Sequence, residues 1–135
     1  MQCNLANAQK LIEEYNQLYN TSFKMSECWR LFPDKDGVCD FRDRQWPGNG
    51  HAGVYLVMAK DGEVIYVGQT LSLGYRFSQY FKNENGNCVV RSSSWSETPV
   101  SLVVIEADDD RKYERLSLEE YLIERLMPID NISGK

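Results

Sequence analysis

The sequence predicts a small α+β domain, built from a β-hairpin and a further strand with helices on either side. Three observations predict it. Two strand-like runs, residues 53–60 and 63–69, are separated by Asp61-Gly62, a pair that favours the positive φ values of a two-residue hairpin turn. Leu102-Val103-Val104-Ile105 is a continuous apolar run of the kind that fills a buried central strand. The stretches before, between and after these runs carry apolar residues at helical spacing.

Composition bounds the function classes. A chain of 135 residues suits one domain with a core of its own. Apolar residues make up 42% and charged residues 26%, the balance of a soluble globular protein. No apolar run is long enough to span a bilayer. The N-terminus lacks a basic segment followed by an apolar stretch, so the expectation is a cytoplasmic protein with no membrane partner. Cys3, Cys28, Cys39 and Cys88 form no C-x-x-C pair, and His51 is the only histidine. This speaks against zinc and for free thiols, buried or half-buried. The net charge of −5 and pI of about 4.9 argue against a general nucleic-acid binder, because phosphate contacts need clustered positive charge. Much of the acidity sits in Asp108-Asp109-Asp110, Glu114, Glu120 and Glu124, which leaves room for a local basic face.

The elements follow in order. Over residues 4–20, Leu5, Ala8, Leu11, Ile12, Tyr15, Leu18 and Tyr19 recur at three- and four-residue spacing and predict an amphipathic helix. Residues 21–52 are punctuated by Pro33, Gly37, Pro47, Gly48 and Gly50 and read as irregular. Trp29, Leu31, Phe32, Phe41 and Trp46 should pin this segment to the body, while Arg30, Lys35, Arg42 and Arg44 also allow a substrate-contacting arm. In the hairpin, pairing Lys60 with Glu63 sets Tyr55 opposite Gly68 and Val57 opposite Tyr66. Those four residues then share one face, and Val54, Leu56, Met58, Ile65 and Val67 share the other. Gly68 should leave open space beside Tyr55. Residues 71–82 predict a short helix with the stripe Leu73, Phe77, Tyr80 and Phe81 and with Arg76 at its rim. Residues 83–99 read as a polar loop holding Arg91 and Trp95, and Val100–Ala107 as the third strand. A helix lies within 109–127 and stops at Pro128. Ser117-x-x-Glu120 could cap a later start, but Tyr113 and Leu116 extend the apolar stripe and favour an earlier one. No repeat or linker divides the chain, so residues 1–52 are an extension packed on a core of residues 53–135.

Some residues point to chemistry. On the last helix, Leu122, Ile123, Leu126 and Met127 span one arc, and Glu119 falls in its middle. A carboxylate there needs a cation, a metal or hydrogen-bond donors. Arg115, one turn earlier, offers an i,i+4 pair; a metal is the other reading. Arg76 either covers the helix stripe with its stem or clamps a phosphate, which its guanidinium matches in a bidentate way. Tyr55, Tyr66 and Tyr80 are core residues by default, and His51 is a loop residue near the tyrosines.

Taken together, Gly53-Val54-Tyr55, Tyr66-Val67-Gly68, Arg76, Tyr80, Glu119 and Pro128-Ile129-Asp130-Asn131 resemble the GIY-YIG nuclease superfamily. The segment Val64-Ile65-Tyr66-Val67-Gly68-Gln69 with Leu73, Arg76 and Tyr80-Phe81 is similar to the catalytic module of the bacterial excision-repair incision subunit. So is Glu119 with Leu122-Ile123, Pro128 and Asn131. The resemblance covers residues 53–131, and residues 1–52 match no family motif.

The resemblance implies a three-stranded antiparallel sheet flanked by helices and a divalent-metal-dependent endonuclease acting on duplex or branched DNA. Glu119 is then the protein ligand of Mg²⁺ or Mn²⁺ and Arg76 the contact to the scissile phosphate. Tyr55 and Tyr66 position or deprotonate the attacking water, with Tyr55 the less crowded. Tyr80 follows Arg76 at a position where the family places Tyr or His. Gly68, Gln69 and Asn131 lie in the substrate-binding set, Asn131 in a bracing role. The family's repair enzymes carry lysine where Gln69 stands here, so one phosphate contact is expected to be missing, and the low pI is unusual for a nuclease. A fold-retaining module with weak or no turnover, binding nucleic acid or protein, is therefore the alternative. A module this small needs a second domain or a homodimer for specificity.

Overall fold

The computed structural model describes residues 5–33, 37, 39–43, 45–91 and 94–132. Cys3, Lys35 and Arg44 lie outside them. The central sheet is antiparallel and has four strands in the order β1-β6-β2-β3. These are β1 (Trp29–Arg30), β2 (Gly53–Met58), β3 (Val64–Thr70) and β6 (Ser101–Glu106); β4 (Phe81–Glu84) and β5 (Asn87–Val90) form a separate ribbon. The helices are α1 (Leu5–Tyr19), the single turn α2 (Asp40–Asp43), α3 (Leu73–Tyr80), α4 (Glu114–Leu126) and the short α5 (Ile129–Ile132).

The expected three strands are therefore four. Trp29 pairs with Leu102 and Arg30 with Ser101 at the far side of β6, so the N-terminal segment supplies an edge of the sheet. The expected loop 83–99 begins instead with most of the β4–β5 ribbon, whose first residues, Phe81 and Lys82, were expected in the helix that ends at Tyr80. Its turn, Asn85-Gly86, has positive φ at both residues (57° and 82°), as does Asp61-Gly62 (64° and 73°).

The hairpin register holds from Gly53↔Thr70 through Tyr55↔Gly68 to Val57↔Tyr66, then shifts so that Met58 pairs with Val64. The extra residue is Ile65. This bulge turns Ile65 towards the tyrosine side, where it packs with Tyr55, Val57, Leu102 and Val104. It was expected on the other face; a one-residue slip reverses a strand side chain.

The two faces of the sheet bury different cores. Val54, Leu56, Met58, Val67, Val103 and Ile105 pack against Ala8, Ile12 and Tyr15 of α1 and Leu118, Tyr121, Leu122 and Leu126 of α4. On the opposite face, Tyr55, Val57, Leu102 and Val104 pack with Leu73 and Phe77 of α3, and with Trp29, Leu31, Phe41 and Trp95. Trp46 lies 5.8 Å from Phe77, centroid to centroid, and Arg30 is ion-paired to Asp40. This part of residues 21–52 is thus packed into the body. Cys39 is buried and Cys88 half-buried as expected, whereas Cys28 is exposed.

The α4 helix begins at Glu114, after a 3₁₀ turn at Asp109–Arg111. Ser117 does not cap it, and Tyr113 and Leu116 are exposed, so the stripe that favoured an early start does not reach them. The buried stripe is Leu118, Tyr121, Leu122 and Leu126. Met127 lies past the helix end with φ 49° and is 62% exposed. Glu119 consequently stands on the flank of the stripe, not in its middle.

Candidate active site

The site forms around β3, the edge strand of the sheet. Alternation along this strand gives Tyr66 to the face covered by α3, while α4 on the other face brings Glu119 to the same edge. Arg76 and Tyr80, one turn apart on α3, complete the group.

Tyr55 is fully buried, and its hydroxyl shares a 2.7 Å hydrogen bond with that of Tyr80. Gly68 is needed for this placement, because a Cβ there would collide with the Tyr55 ring. The open space expected beside Tyr55 is filled by Tyr55 itself, and Tyr66, half-buried, is the less enclosed phenol. The Tyr66 ring packs 6.1 Å from Tyr55 and 5.7 Å from Trp95. Trp95, expected in a polar loop, closes the cluster with a 5.4 Å edge contact to Tyr80. Its segment is tied down by the buried Asp130, whose carboxylate accepts from Ser96 N and Oγ at 3.1 and 3.2 Å. Asp130 stood in the quoted motif at the end of α4, but its partner lies across the molecule.

Electrostatics mark the group. Burial raises the Tyr55 pKa well above the usual phenol value, and the Tyr80 hydroxyl raises it further. Tyr66 is pushed up to about 12, first by burial, then by Tyr80 and by the negative charge of Glu119, against the opposing pull of Arg76. Both phenols are therefore neutral at physiological pH. Burial alone would lower the Arg76 pKa, but the neighbouring Tyr55 and Tyr80 oxygens raise it overall. Its Nε is buried and has no acceptor among the described residues. Glu119 is half-buried. Desolvation raises its pKa, partly offset by Arg115. Its carboxylate makes no hydrogen bond and no ion pair among the described residues, so the Arg115 pair allowed by helix spacing is not formed. Arg115 instead donates from Nε to Gln69 Oε1 at 2.8 Å.

Two expected substrate contacts have other duties. Asn131 Oδ1 accepts from Val67 N at 2.8 Å, and its Nδ2 donates to Val67 O at 2.9 Å. This amide braces the edge of β3, the bracing role expected of it. Gly68 serves the Tyr55 ring. His51 is exposed, with Nδ1 3.7 Å from Glu106 and 4.0 Å from Asp109.

The family model for the GIY-YIG catalytic domain matches residues 51–131, a span that contains every residue of this cluster. The chain belongs to the GIY-YIG family. It is 34% identical over 80 residues to the UvrABC system protein C of Hahella chejuensis, covering 59% of this chain and 12% of that protein. The protein of the same name from Treponema denticola is 37% identical over 84 residues, covering 62% of this chain and 12% of its own length. That of Desulforapulum autotrophicum is 32% identical over 80 residues, covering 59% and 13%. The match thus spans only about one eighth of the length of these curated relatives. No solved structure matches the chain. No helix among the described residues is long and apolar enough to cross a membrane.

Proposed function

We propose that this GIY-YIG domain is a divalent-metal-dependent endonuclease that hydrolyses phosphodiester bonds in DNA. One observation carries the reading: the Tyr66 phenol lies in the fields of both Glu119 and Arg76. A carboxylate with no partner among the described residues and a guanidinium with an orphaned Nε therefore both bear on one half-exposed phenol. The likeness to the excision-repair incision subunit supports DNA as the substrate.

The donor set suits Mg²⁺ or Mn²⁺. Mg²⁺ keeps most of its waters and takes one or two carboxylates, which a lone Glu119 can satisfy. Among the described residues no group of three or more His, Cys, Asp or Glu could form a closed cage. When bound there, the ion would neutralise charge on the phosphate and the leaving oxygen and acidify a water. Arg76 binds the scissile phosphate through the outer nitrogens of its guanidinium, its Nε being buried. Tyr55 and Tyr80 hold the Arg76 guanidinium, and the fully buried Tyr55 does not meet water. Tyr66, a neutral phenol up to about pH 12, orients the attacking water by hydrogen bonding and does not take its proton unaided. The aromatic wall of Trp95 and Tyr80 limits solvent on one side.

The test is nicking of supercoiled plasmid and of branched DNA with Mg²⁺ or Mn²⁺. Glu119→Ala should lower the rate about 1000-fold, roughly 4 kcal/mol at the barrier, without unfolding the domain. A wild-type protein that cleaves none of these substrates with metal present overturns the reading. The net charge of −5 favours a second one, a binding module of weak or no turnover. Salt-dependent DNA binding without any nicking would be its signature.

A further inference from the structure

Three arginines among the described residues are half-buried: Arg30, Arg76 and Arg115. Arg30 is neutralised by Asp40 at 3.1 Å. Arg76 faces the phenols. Arg115, near the start of α4, is held by two neutral acceptors: Nε donates to Gln69 Oε1 at 2.8 Å and Nη1 to the Lys112 carbonyl at 2.7 Å. Its Nη2 has no acceptor among the described residues. It forms no ion pair with Glu119, although Glu119 is four residues on and feels its charge. The other α4-side arginines differ: Arg111 is paired to Glu114 at 2.8 Å, and Arg125 stacks 3.7 Å over the Tyr121 ring.

A half-buried cation without a direct ion pair carries a desolvation cost. Here the cost is kept and the geometry is specified, by a glutamine reaching across from the edge strand. Arg115 and Arg76 lie on opposite faces of β3, with the Glu119 carboxylate at the same edge. A nucleic-acid strand passing along that edge would bring successive phosphates to both guanidiniums, Arg115 offering the Nη2 that its two acceptors leave open. This gives an acidic chain a second positive contact where substrate charge is greatest.

Resting on the nuclease reading, we infer that Arg115 binds a DNA phosphate flanking the scissile one and that Gln69 is its positioning residue. The experiment measures binding of a fluorescein-labelled duplex in Ca²⁺ across a salt series, with plasmid nicking in Mg²⁺ alongside. Arg115→Gln should weaken binding roughly tenfold at low salt and reduce the slope of log affinity against log salt by about 0.9. Arg115→Lys should keep the slope. Gln69→Ala should weaken binding roughly threefold in the wild type and have no effect in the Arg115→Gln background, since it acts through the guanidinium. If the wild type nicks DNA while Arg115→Gln keeps its slope and KM, the inference falls and the nuclease reading stands. If the wild type binds duplex with the expected Arg115 dependence but never nicks, the nuclease reading falls and the phosphate contact stands. If the wild type neither binds nor nicks, both fall.

Discussion

The two faces of the central sheet are built from the same strands and do different work. On the α1 and α4 face, β2 and β6 contribute Val54, Leu56, Met58, Val103 and Ile105, whose only contribution is apolar area. On the α3 face the same strands and β3 present Tyr55, Val57 and Tyr66, so hydroxyls and an arginine are set among the rings. A polar group is tolerated in such a cluster only when it finds a partner. Tyr55 and Tyr80 find one another, whereas Arg76 Nε does not. The difference teaches that both faces bury a core, while the unfinished polar geometry is confined to one.

Substitutions on the two faces should therefore separate stability from activity. Leu56→Ala, on the apolar face, should cost about 3 kcal/mol of unfolding free energy yet leave kcat of the folded fraction near wild type. Tyr66→Phe should leave the urea midpoint nearly unchanged and lower kcat by roughly a hundredfold. Equal losses of stability in the two variants would erase the distinction. Gly68→Ala probes the join between the faces. Its methyl meets the Tyr55 ring, so about 1–3 kcal/mol should be lost, with part recovered in a Gly68→Ala, Tyr55→Leu double variant. The smallest effect is on pH. The buried phenols titrate above the unfolded value of about 10, Tyr66 at about 12. Their stability contribution is complete below that unfolded value and is lost as pH rises towards the folded one. The urea midpoint should fall between about pH 10 and about pH 12, less steeply in Tyr66→Phe. An equal fall in that variant would remove Tyr66 as the source.

Much of the molecule was legible in the sequence where local rules act. Asp61-Gly62 marked the hairpin and Tyr55 does lie opposite Gly68, but the expected Lys60–Glu63 pair is replaced by a 3₁₀ turn over Lys60–Gly62, and the Ile65 bulge brings the strands back to that register. The same logic applied to Asn85-Gly86 would have found the β4–β5 ribbon, whose exposed polar residues hid the signal. The β1 strand was not legible, because its two residues form a strand only by pairing with β6. The Ile65 bulge and the filled space at Gly68 were missed for a related reason: each depends on how a whole ring or strand seats itself against its neighbours. At the site, residue types were legible and their partners were not. Glu119 and Arg115 are one helical turn apart, yet Arg115 turns to Gln69, which is remote in sequence and adjacent only in the fold.

The Asn131 amide has a consequence beyond bracing. An edge strand exposes a donor and an acceptor that can recruit another chain. At Val67 both are occupied by a single side chain, which imitates one peptide unit of an absent neighbour. A foreign strand aligning on β3 would have to displace it first. At Val67 the edge is thereby closed to the addition of another strand.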